Sequence, residues 1–142
     1  MGYTHYWDHT EAFTTDEWNQ ITDKVNKIVN WCQNNKIPLQ YEYDMVMPVL
    51  NDSHQIRFNG VGDDGHETFM VKRVPAKTWD FCKTARKPYD VAVGCCLIML
   101  QNANQKKFKF RSDGNYPDWA DVVDSYEKIF GEKPENFLND KE

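Results

Sequence analysis

The chain has no excess of positive charge: its 142 residues carry 17 Lys plus Arg against 22 Asp plus Glu, a formal net charge of −5. That balance argues against general affinity for extended nucleic acid or an anionic membrane, although a local basic patch still suits a small anion. Long hydrophobic runs are missing too. The longest, Val91 to Leu100, is about half of what an apolar helix needs to span a bilayer. The opening Met1-Gly2-Tyr3-Thr4-His5-Tyr6-Trp7 lacks the basic and apolar regions of a secretory signal. Tyr6 also stands where a myristoylation signal wants Ser or Thr. A cytoplasmic protein with no membrane partner is expected. The four cysteines, Cys32, Cys82, Cys95 and Cys96, lack the paired spacing of a metal site. Cys95 and Cys96 lie inside the apolar run, where thiols act as small buried hydrophobes. Repeats, low-complexity tracts and linkers are absent, so one domain over 1–142 is expected.

What the chain does have is apolar content of 40% and aromatic content of 14%, enough for a continuous core. Gly2 to Asp8 alternates, with Tyr3, His5 and Trp7 on one side, and reads as a strand. Thr14-Thr15-Asp16-Glu17 is a capping box opening a helix to about Asn34, with Trp18, Ile21, Val25, Ile28, Val29 and Cys32 as its apolar stripe. Ile37 to Leu50, broken by Pro38 and Pro48, is irregular or holds one short strand. His54–Val61 and His66–Arg73 read as strands joined by Gly62-Asp63-Asp64-Gly65 in a hairpin.

An apolar helix is expected from Pro88 to about Asn104, with Pro88 at its first position. Lys107 to Arg111 reads as a half-buried strand, and Pro117 to Phe130 as an amphipathic helix stopped by Gly131. Residues 131–142 form a polar, loosely held tail. The order β-α-β-β-α-β-α gives a single α+β domain, a mainly antiparallel sheet of about four strands packed with three helices.

The segment Lys83-Thr84-Ala85-Arg86-Lys87-Pro88-Tyr89-Asp90 runs straight into the apolar helix. A helix N-terminus presents unpaired N–H groups and partial positive charge, so three cations beside it make a sensible seat for phosphate. Gly60-Val61-Gly62-Asp63-Asp64-Gly65 spells the literal G-x-G-x-x-G fingerprint. That motif needs a helix to follow, whereas a strand is expected here, and its two aspartates would repel phosphate. Asp63, Asp64, His66 and Glu67 include suitable metal ligands, but spacing this short rarely fills a coordination shell, and no metal or other cofactor is assigned. Strand parity would put Glu67 on the face of Phe69 and Val71, where its carboxylate needs a cation. His66-Glu67-Thr68 has the His-x-Thr form of two-histidine phosphoesterases, yet His54-Gln55-Ile56 offers no second copy. The aromatic and imidazole group at His5, Tyr6 and Trp7 combines core material with flat faces suited to a nucleobase. Ser112-Asp113-Gly114 reads as a turn in which Ser112 could line a mouth.

Three stretches, Gly2-Tyr3-Thr4-His5-Tyr6-Trp7, Phe58 through Phe69 (FNGVGDDGHETF) and Asp80 through Asp90 (DFCKTARKPYD), resemble a family of small uncharacterised proteins of bacteriophages and bacterial genomes. Ser112-Asp113-Gly114 with Asp118-Trp119 is similar to the same family. The resemblance implies a phage or prophage setting, in which small proteins often counter host defence; it brings no catalytic residues. From the residues, the first expectation is a protein that sequesters a small phosphorylated, nucleotide-like ligand, such as a host immune signal. Lys83, Arg86 and Lys87 would neutralise phosphate, with Tyr89 beside them. His5, Tyr6 or Trp7 would stack on the base, and Asn59, Asp63 or Glu67 would read polar edges. The alternatives are a phosphoester or nucleotide hydrolase using His66 and Glu67, or a direct inhibitor of a host protein. Homo-oligomerisation stays open.

Overall fold

In the computed structural model, which describes residues 2–140, alternating residues build the central strand β1 (Thr4–His9). Tyr3, His5, Trp7 and His9 point into the core while Tyr6 and Asp8 face outward. β1 pairs antiparallel on one side with β6 (Trp79–Lys83) and on the other with β7 (Phe108–Ser112), giving a three-stranded sheet β6-β1-β7. A second antiparallel sheet is built on β4 (Gln55–Gly60), which pairs with β5 (Phe69–Lys72) and with the two-residue strands β2 (Leu39–Gln40) and β3 (Leu50–Asn51). Trp7 joins the sheets, its ring 5.4 Å from Phe69 and 6.2 Å from Phe108.

Three helices complete the α+β domain. α1 (Thr15–Asn34) starts at the expected capping box, in which Thr14 and Glu17 exchange side-chain and backbone hydrogen bonds. Such a cap stabilises a helix by about 1 kcal/mol. Its indole Trp18 Nε1–H donates to the Asp52 carbonyl at 2.8 Å and ties α1 to the second sheet. α2 (Asp90–Ala103), buried from Ala92 to Gln101, packs against β7 and between α1 and α3 (Ala120–Phe130). Gly94 lets α2 and α3 approach closely, since a Cβ there would lie 2.7 Å from Val122 Cγ2. α3 follows a 3-10 turn at Tyr116–Trp119 and ends at Gly131, whose φ of 80° suits the left-handed C-terminal cap.

The elements differ from expectation in several places, beyond the later start of α3 at Ala120 and the two short strands, β2 and β3, where at most one was expected. Strand β6 went unrecognised because its large apolar residues, Trp79 and Phe81, face solvent while Cys82 faces the core. His66, Glu67 and Thr68 lie outside β5, so strand parity does not place Glu67 beside Phe69 and Val71. Pro88 is not the first helical residue: Pro88 and Tyr89 form a turn, and α2 opens at Asp90. The segment after Gly131 is not simply loose. Phe137 is buried among Phe110, Tyr116 and Trp119, and its carbonyl accepts from Gln101 Nε2 at 2.9 Å; residues 141–142 lie outside the described chain.

Candidate functional site

The hairpin after β4 is held by one buried amide. Asn59 Oδ1 accepts from the backbone N–H groups of Gly60 and His66 at 2.7 and 3.0 Å, and Nδ2 donates to the His66 carbonyl and Thr68 Oγ1 at 2.9 and 3.1 Å. With all these positions used, Asn59 shapes the loop from below instead of reading a ligand. Gly60 is required by close approach, because a Cβ would fall 2.4 Å from the Asp64 carbonyl oxygen. Glu67 binds β6 through backbone: its N–H donates to the Lys83 carbonyl at 3.2 Å, and its Oε1 accepts from the Lys83 N–H at 2.7 Å. The carboxylate therefore answers a peptide donor, where a cation was expected. Tyr89, fully buried, donates its hydroxyl to the Glu67 carbonyl from beneath.

The three cations of the β6–α2 connection diverge. The Lys87 N–H donates to the Thr84 carbonyl at 3.0 Å across a tight turn whose central residues, Ala85 and Arg86, have φ of 53° and 58°. This left-handed pair is costly for residues bearing a Cβ. The turn is held because the N–H groups of Thr84 and Ala85 both reach the Tyr3 carbonyl, at 3.1 and 3.2 Å. Arg86 lies over the Tyr3 ring, 4.0 Å from its centroid, with Nη1 3.3 Å from Asp118 Oδ1. Lys83 is on the outer face of the three-stranded sheet, opposite Thr4, with its stem against Gly2. Only Lys87 turns toward the hairpin loop. There it lines an open groove of about 400 Å3 with Tyr43, Asp63, Gly65, His66 and Glu67.

The tip of α2 is occupied by the protein itself. Asp90, in the first turn, accepts from Thr84 Oγ1 at 2.6 Å and pairs with His5 Nε2 at 2.7 Å; on the far side of the ring, His5 Nδ1 is 2.8 Å from Ser112 Oγ. Ser112 Oγ also accepts from the Gly114 N–H at 2.9 Å and from Trp119 Nε1–H at 3.2 Å. The His5 Nε2–H donates to the Asp90 carboxylate. The residue types are those of a hydrolase triad, but the chemistry is not. His5 is fully buried and Ser112 is 2% exposed, so no substrate carbonyl has access to Oγ. The relay locks β1, β7 and α2 together. Burial, then the Asp90 charge, push the neighbouring Tyr3 hydroxyl up to about 12.

Of the residues singled out from sequence, Asp63, His66, Glu67 and Lys87 meet in one groove. His5, Trp7, Asn59 and Tyr89 are buried supports, Arg86 is a clip, and Tyr6 with Lys83 belongs to the outer sheet face. The single anion seat of three cations and a bare helix tip is thus not formed. His54 precedes β4 and His66 follows it, so they do not combine as paired histidines. Among the described residues no three His, Cys, Asp or Glu side chains are grouped to hold a metal. All four thiols are buried, and burial pushes Cys95 and Cys96 well above their ordinary range. No helix of the described residues is long and apolar enough to cross a membrane. A larger cleft of about 790 Å3 between α3 and the C-terminal segment carries Asp124, Glu127 and Glu135 against Lys133, a poor seat for an anion.

Three roles were not legible in the sequence: Asp90 as the partner of His5, Thr84 as a donor to Asp90, and Tyr43 as a wall of the groove. The inward parity of His5 marked a buried imidazole that needed a partner, but nothing local named which residues would supply it. Comparison with known proteins finds no matching family model, no matching curated protein and no matching solved structure.

Proposed function

We propose that this protein binds a small nucleotide-like molecule bearing one phosphate in the groove between Tyr43 and Lys87, and holds it without turnover. The observation that carries this reading is Lys87. It is half-buried in the groove and forms no ion pair there among the described residues, so its ammonium is available to an incoming anion. A groove of about 400 Å3 falls within the size range of small-ligand sites. Tyr43, 49% exposed, offers a flat face to a base, and Asp63 offers acceptors to its amino edge. A single cation suits one phosphate at the Lys87 end better than a polyphosphate chain.

Binding is favoured over hydrolysis because no group among the described residues orients the His66 ring, and Glu67 Oε1 is engaged by the Lys83 N–H. The resemblance to phage proteins makes host nucleotide signals the natural ligand class and sequestration the natural action. A second reading, direct blocking of a host protein, draws on the loop between β2 and β3. Its Met45, Val46 and Met47 are 44%, 91% and 51% exposed.

The test is to purify the protein from infected cells, denature it by heat and identify the released small molecule by mass spectrometry. An intact phosphorylated nucleotide is expected. Removing one charge-assisted hydrogen bond costs about 1.5–3 kcal/mol, so Lys87→Ala should weaken binding of the identified nucleotide roughly tenfold or more. Arg86→Ala should change it little. Release of a cleaved product favours the hydrolase, and recovery of a host protein with no small molecule favours the blocking role.

A further inference from the structure

We propose that the outer face of the three-stranded sheet is a stacking platform for single-stranded nucleic acid, a second site independent of the groove. The strand register places two rows across this face: Phe81, Tyr6 and Arg111 in one, and Trp79, Asp8 and Lys109 in the next. Lys83 extends the pattern opposite Thr4. Trp79 and Phe81 are 52% and 43% exposed, their rings 5.9 Å apart and inclined by only 22°, and Tyr6 lies 6.5 Å from Phe81. Three aromatic rings therefore share one solvent-facing surface, and none of them is needed to fill the core beneath.

Charge identifies the occupant. An apolar protein partner would be met by an apolar rim, but these rings are bordered by Lys83 and Lys109, neither in an ion pair among the described residues, with Arg111 held by Asp8 between them. The carboxylates on the face are already engaged: Asp8 accepts from Arg111 Nη1 at 2.8 Å, and Asp113 accepts from the Thr4 N–H at 3.0 Å. Aromatic faces with cations beside them are the two elements that hold unpaired bases and their phosphates without reading sequence. A duplex hides its bases from such rings. The net charge of −5 weakens long-range attraction but does not remove this local excess of cations.

A short fluorescein-labelled oligothymidylate, titrated with the full chain at low salt and read by anisotropy, tests the proposal. Binding is expected with quenching of tryptophan emission. Two neutralised phosphates, one at each unpaired lysine, give a slope of log K against log salt of about −1.4. Trp79→Ala and Phe81→Ala should each weaken binding about tenfold, with an unchanged circular dichroism spectrum because both side chains are exposed. Lys109→Ala should flatten the salt slope, and Lys87→Ala should leave binding unaltered. Any of these results overturns the proposal: no binding, a Trp79/Phe81 double variant that binds as wild type, equal affinity for duplex, or face variants that abolish only self-association in sedimentation. Loss of oligonucleotide binding with Lys87→Ala alone would move the site to the groove and equally reject the platform.

Discussion

Replacing Asp90 probes the device that fills the tip of α2. Its carboxylate serves a fully buried imidazole N–H and a fully buried hydroxyl, and it sits in the first helical turn. Asp90→Ala leaves both donors without a partner, at about 1–3 kcal/mol each. It also removes a negative charge from the positive end of the helix, worth about 0.3–1 kcal/mol. A total of about 4 kcal/mol is expected. Asp90→Asn keeps one carbonyl acceptor in place but loses the charge assistance, so about 1–2 kcal/mol is expected. Urea unfolding at neutral pH, followed by tryptophan fluorescence, measures both, with unchanged slopes showing that only stability moved. The reasoning is refuted if Asp90→Ala costs less than about 1 kcal/mol, or if the two variants cost the same.

Two further outcomes follow from buried groups. His9, 4% exposed and with Nε2 unpartnered among the described residues, is lowered to about 4, mainly by burial. Between that value and the ordinary 6.5 the unfolded chain binds more protons, so its contribution is complete above 6.5 and falls as the pH drops toward 4. The loss reaches about 3 kcal/mol; His9→Phe should flatten urea midpoints across that window, and an unchanged slope counts against it. At Gly114, an added Cβ would lie 2.2 Å from the Tyr3 hydroxyl oxygen. Gly114→Ala should therefore cost about 1–3 kcal/mol by calorimetry through overpacking, whereas an unshifted melting temperature would mean that Tyr3 moves aside freely.

Local patterns made much of this fold legible. The Thr14–Glu17 box, the Trp18-to-Cys32 stripe and the alternation in β1 and β7 are short-range signals, and each produced its element. β6 escaped because alternation reveals a strand only when its apolar side faces the core, and here Trp79 and Phe81 face water. The start of α2 was misplaced for a tertiary reason. Proline favours an early helical position, but the connection must first satisfy the Tyr3 carbonyl and bring Asp90 to His5. The candidate site was half legible. Asp63, His66, Glu67 and Lys87 were identified by type, yet Tyr43 comes from an irregular loop whose position no periodicity encodes. Arg86 and Lys87 are adjacent in sequence, and the left-handed turn between Thr84 and Lys87 sends them to different neighbours.

The most direct measurement of the central claim is a titration of the isotopically labelled protein with cyclic mononucleotides, followed by NMR chemical shifts. One of them is expected to shift resonances of Tyr43, Asp63 to Glu67 and Lys87 together, at saturation, with His5 and Ser112 unmoved. Shifts absent from that group for every nucleotide, or centred on Arg86 and Asp118, would contradict it.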